Sequence, residues 1–132
     1  MMRRIALLAA AAFAALAVSA APAAASGSAG VAGPNDGTVD FRSYGDHFYI
    51  NDWKADGHGV KGVLEYRQCT PEGRCWWHTE VVAFNNKGYH APAKHVNLNI
   101  PEDRKVRYWA CMSDGGSGGT QSRCGKKHYD YA

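Results

Sequence analysis

The chain is 132 residues long, with 15 Lys and Arg, 12 Asp and Glu, six His and four Cys. Arg3 and Arg4 belong to the N-terminal stretch; without them 13 basic residues face 12 acidic ones, and the longest basic clusters, Arg104-Lys105 and Lys126-Lys127, are only pairs. That balance carries no electrostatic footprint for nucleic acid or an anionic membrane, and the length fits one domain.

Met1-Met2-Arg3-Arg4 leads into an uncharged apolar run from Ile5 to Val18 and then into small residues around Pro22. This is the three-part plan of a secretory signal peptide, and Ala23, Ala24 and Ala25 supply the small side chains that cleavage requires. We read residues 1–25 as the leader, cut after Ala25, with Ala20 as second choice. A membrane anchor fits less well, because Pro22 ends the run short of the roughly 20 residues a spanning helix needs. No later segment is apolar enough to span a bilayer, so a soluble, secreted, extracellular product is expected.

Ser26 to Gly37 is Ser, Gly, Ala, Pro and Asn with almost nothing to bury, which predicts a flexible tether over 26–37. A single β domain is expected over 38–132. From Thr38 onward apolar residues recur at intervals of two, and turn residues interrupt about every ten positions. The first strands fall around Phe41 and over His47–Trp53. A strand over Val60–Gln68 points Val60, Leu64 and Tyr66 inward and Lys61, Glu65 and Arg67 outward, with Val63 breaking the outer pattern. Trp76–Phe84 follows, apolar on both parities; it and His47–Trp53 are expected to be central and covered on both sides.

Lys94–Ile100 is the cleanest alternation, with Val96, Leu98 and Ile100 on one face. Lys105–Met112 turns Val106, Tyr108 and Ala110 inward. Turns are marked at Ala55–Gly59, Asn85–Gly88 and Pro101–Asp103. About seven strands at this spacing predict an all-β fold, an antiparallel β-sandwich, with a small closed β-barrel as the alternative.

Cys69, Cys75, Cys111 and Cys124 form an even set in an exported chain, which implies disulfides. Three pairings are possible. Cys69 with Cys75 and Cys111 with Cys124 is favoured, since each pair brackets a turn-rich segment, Thr70-Pro71-Glu72-Gly73-Arg74 in the first case and the glycines of 115–119 in the second. Zinc is the competing use of four cysteines, but no pair shows the two-residue interval of a metal knuckle.

No metal, cofactor or catalytic residue is assigned. Asp52 to Gly57 touches the calcium-loop pattern, yet Lys54 takes an oxygen position and the twelfth residue is Val63. His78 and Glu80 share a strand face without an identifiable third ligand. Ser43, Ser113, Ser117 and Ser122 lack the strand–turn–helix frame of a hydrolase elbow.

The aromatic residues are more informative. Adjacent Trp76 and Trp77 must face opposite ways on a strand, and Trp109 falls on the Lys105 and Arg107 side of its own. An exposed Trp there stacks on sugar or packs on a protein partner. Arg74, next to Cys75 in a clasped loop, is pre-organised for binding. Arg74, Trp76, Trp77 and Trp109 are therefore the candidate binding residues.

The expected function is that of a non-catalytic, extracellular or cell-surface-associated binding protein, a monomer whose partner is an extracellular protein or carbohydrate. A small secreted protease inhibitor using the Cys69–Cys75 loop is the alternative. A small extracellular hydrolase is the third reading, and it requires His with Asp or Glu in a cleft.

The Ala-rich leader, the turn Asp56-Gly57-His58-Gly59-Val60, and the tail from Val106-Arg107-Tyr108-Trp109-Ala110-Cys111 to Cys124-Gly125 resemble small exported proteins of actinobacteria, mostly without an assigned function. The resemblance covers the chain in outline. It implies export and a β fold, and supplies no catalytic residue.

Overall fold

The computed structural model describes residues 26–54, 56–115 and 119–132; the expected leader at 1–25 lies outside them. Among the described residues there are nine strands: β1 (Ser26–Gly30), β2 (Gly37–Arg42), β3 (His47–Asp52), β4 (Gly59–Cys69), β5 (Cys75–Asn85), β6 (Lys94–Asn97), β7 (Lys105–Asp114), β8 (Thr120–Ser122) and β9 (His128–Tyr131). They form two antiparallel sheets, one ordered β1-β2-β3-β6 and one β5-β4-β7-β8, with β9 also on β7. The fold is an antiparallel β-sandwich, and the barrel alternative does not occur, since the two sheets remain separate. Among the described residues there is no helix, hence none long and apolar enough to cross a membrane.

The core lies where the two inner faces meet. Val39, Phe41, Phe48 and Ile50 from the four-stranded sheet pack on Val60, Leu64, Val106, Tyr108 and Ala110 from the other, all fully buried. The Tyr108 ring stands 5.7 Å from Phe41 and 6.3 Å from Phe48, edge-on to the latter. Its hydroxyl donates to Asp130 on β9 at 2.6 Å, which satisfies a polar tip carried into an apolar layer. Burial first, and the Asp130 carboxylate second, push the Tyr108 phenol above the ordinary tyrosine range. Gly62 lets the sheets approach: a Cβ there would stand 2.7 Å from both Ile50 and Val39.

Nine strands exceed the expected seven because of the chain ends. The segment 26–37 is not a free tether: Ser26–Gly30 pairs along its length with Thr38–Arg42, and Ala29 and Val31 are buried. Small residues fit there because β1 crosses tightly over Tyr108, His128 and Asp130 at Gly27. β8 and β9 line the same side of β7, separated by the segment 123–127. That segment is tied back by the Cys111–Cys124 bond and by Gly125 N–H donating to the Ala110 carbonyl at 2.9 Å. The other disulfide joins Cys69 and Cys75 at the β4–β5 turn, so the favoured pairing is the observed one.

Two strands depart from their expected form. β5 is an edge strand, not a central one. Its register on β4 shifts so that Leu64 faces Val81 while Glu65 faces Thr79, leaving Glu80 as the extra residue of a bulge. The bulge reverses parity: Trp77 and Thr79 point outward before it, Val82 and Phe84 after it. That is why apolar residues occupy both alternations. β6 stops at Asn97 instead of continuing to Ile100, because the β2–β3 turn takes over its partners. The Asp46 carbonyl accepts from Leu98 N–H at 2.8 Å and its carboxylate from Ile100 N–H at 3.0 Å.

Candidate functional site

The outer face of the five-stranded sheet holds the densest group of aromatic and cationic side chains. Register places Arg67 beside Trp77, Glu65 between Thr79 and Arg107, and Arg107 beside Tyr129. Trp77 thus lies at the centre of a cluster: the Arg107 guanidinium is 4.2 Å from its ring centroid, that of Arg67 5.8 Å, and the Tyr129 ring meets it edge-on at 6.0 Å. Lys105 lies 5.3 Å from the Tyr129 ring and Lys127 4.4 Å from that of Trp109. Each pairing places a cation near the electron-rich aromatic system. Glu65 is the carboxylate amid these groups, and Arg107 donates to it while Thr79 donates at 3.3 Å.

Of the residues expected to bind, Trp77 and Trp109 share this face and are half-buried within it. Trp76 points the other way, opposite Gln68, where the β4–β5 hairpin runs toward its tip, and is 46% exposed. Arg74 lies exposed in the turn, whose backbone is closed by Thr70 N–H donating to the Arg74 carbonyl at 2.8 Å and Gly73 N–H to the Thr70 carbonyl at 2.9 Å. The four residues therefore do not form one surface. Sequence reasoning missed Arg67, Lys127 and Tyr129 as members of the cluster. The period-two rule applied to β4 already put Arg67 outward, but which strand lay next to it depended on sheet order.

Lys61 also points outward yet is only 7% exposed, flanked in register by Phe84 and Cys111.

A second constellation sits at the end of the sandwich, where residues of the β1–β2 and β3–β4 connections meet the ends of β7 and β8. Asp36, Lys54, Asp56, His58, Asp114 and Arg123 line an open cleft of about 280 Å³, with Met112 and Ser122 on its wall. His58 Nδ1 contacts the Asp114 carboxylate, which raises the imidazole above the ordinary histidine range. The Arg123 guanidinium donates to Asp36 at 2.6 Å, to the Pro34 carbonyl at 2.7 Å and to the Ala32 carbonyl at 2.9 Å. Its hydrogen bond holds the Asp36 carboxyl below the usual carboxylate range, against a smaller opposing effect of burial. Arg123 takes a left-handed backbone, φ 50°, to make this reach.

Asp52, the start of the calcium-like stretch, is instead buried and accepts from Lys54 N–H at 3.2 Å and Gly88 N–H at 3.0 Å. Burial raises its carboxyl despite these two donors. His78 and Glu80 approach only to 3.9 Å, and no cluster of three metal-ligating His, Cys, Asp or Glu occurs among the described residues. Comparison with protein-family models, curated proteins and solved structures gave no match to this chain.

Proposed function

We propose that the protein is exported through a cleaved signal peptide at 1–25 and works outside the cytoplasm as a monomeric, non-catalytic binding module. Its contact face is the outer face of the five-stranded sheet and its ligand an acidic polysaccharide. One observation carries the reading: Arg67, Lys105, Arg107 and Lys127 interleave with Trp77, Trp109 and Tyr129 around the Glu65 carboxylate. Flat rings suit the apolar faces of sugars, and guanidinium and ammonium groups suit carboxylates. The two disulfides support an oxidising compartment.

Affinity electrophoresis through gels containing polygalacturonate or dextran tests this. Retardation by the acidic polymer alone, weakened in Trp77→Ala and in Arg67→Gln, is the expected result. Equal migration in both gels, or retardation unchanged in the two variants, rejects it.

A small hydrolase is the second reading, favoured by His58 and Asp114 meeting in a cleft that Ser122 also lines. Labelling of Ser122 by a fluorophosphonate, lost in His58→Gln, is the outcome this reading requires. An unlabelled protein removes it.

A further inference from the structure

The outer face of the four-stranded sheet brings together two histidines that the sequence separates by 48 positions. β3 and β6 pair so that His95 lies opposite Tyr49 and Asn97 opposite His47. His47 Nδ1 then stands 2.8 Å from His95 Nε2, on an exposed part of the face. The His95 ring stacks on Tyr49 with centroids 4.6 Å apart and planes 10° from parallel, which fixes its orientation. The His47 and His95 rings are 4.9 Å apart, each with one nitrogen turned toward the other.

We propose that His47 and His95 form a two-imidazole site for a divalent transition metal, copper(II) in particular. Two nitrogens held about 2.0 Å from an ion and at right angles to each other stand about 2.8 Å apart; at the tetrahedral angle they stand about 3.3 Å apart. The present separation is that of an N–H···N hydrogen bond, and a small rotation of either exposed ring would turn both lone pairs toward one ion. Copper(II) binds imidazole more tightly than the other first-row divalent ions.

Without metal, one ring donates N–H to the lone pair of the other. On binding, that proton moves to the donor ring's second nitrogen, so both facing nitrogens present lone pairs and no net proton is released. The nearby charges oppose each other. The Arg42 guanidinium is 5.2 Å from the Tyr49 ring, and Asp40, opposite Tyr49 in the ladder, accepts from Asn51 at 2.8 Å. The remaining coordination positions face solvent, which leaves them to water or a small anionic ligand.

Titration of the untagged protein with copper(II) at neutral pH, followed by calorimetry and electron paramagnetic resonance, tests the site. One equivalent is expected to bind with hyperfine splitting from two imidazole nitrogens. His47→Gln and His95→Gln should each weaken binding at least about tenfold and remove one nitrogen, whereas His90→Gln should not change either readout. In the unaltered protein, substoichiometric copper(II) should broaden the ring-proton resonances of His47 and His95 before those of the other four histidines. That measurement decides the question even where a variant fails to fold. Uniform broadening of all six histidines, or wild-type affinity in both folded variants, overturns the proposal.

Discussion

Replacing Cys111 and Cys124 together by alanine is expected to cost more stability than replacing Cys69 and Cys75. The sequence separations are 13 and 6, for which loop-closure entropy gives about 3 and about 2 kcal/mol respectively. Structure widens the gap. The Cys69–Cys75 turn is already closed by two backbone hydrogen bonds and leads nowhere else. Cys124, by contrast, follows Arg123, whose carbonyl accepts from Ala32 N–H at 2.8 Å and whose guanidinium holds the β1–β2 connection. It precedes Gly125, which bonds Ala110 on β7.

That one covalent tie therefore secures a contact between the two sheets and sets where β9 begins. At about 4 °C per kcal/mol or more for a domain of this size, the losses correspond to about 12 °C and about 8 °C in Tm. Thermal melts followed by circular dichroism, with urea titrations alongside, read both variants. Equal losses, or a larger loss from Cys69→Ala with Cys75→Ala, would refute the assignment of the second disulfide as the structural one.

Gly62→Ala should destabilise by about 1–3 kcal/mol in a urea titration, because its Cβ would meet Ile50 and Val39 at 2.7 Å between the sheets. Tyr108→Phe should cost about 1–2 kcal/mol through the lost bond to Asp130. In an alkaline absorbance titration Tyr108 should ionise above the ordinary tyrosine range. Its folded value is raised, so its stabilisation is complete below about pH 10 and is lost as pH rises further. The raised His58 imidazole likewise stabilises the fold fully below the ordinary histidine value, and that contribution is lost as pH rises through the folded value. Asp114→Asn should flatten this slope in unfolding experiments between pH 6 and pH 9, and an unchanged slope would dissociate the pair from stability.

Period-two alternation was enough to place β4 and β7 and their inward residues, because side chains on a pleated strand have no third direction to take. The cysteine spacing favoured, among three possible pairings, the one observed, since each short bracketed segment contains its own turn residues. Local sequence could not identify the strand at Ser26–Gly30. Its residues bury little themselves, and their ladder with β2 forms only because Tyr108, His128 and Asp130 leave room for a chain without side-chain bulk at Gly27. Nor could it show that Glu80 forms a bulge, a property of how two strands fall out of step rather than of either one.

Both candidate sites depend on the same kind of information. Trp77 meets Arg67, Arg107 and Tyr129, and His47 meets His95, between strands distant in the chain: Trp77 and Tyr129 are 52 positions apart and the two histidines 48. Pleating sets the face on which each residue lies, and this is encoded locally. The neighbours on that face follow from strand order and register, which are chosen by the burial of the whole core.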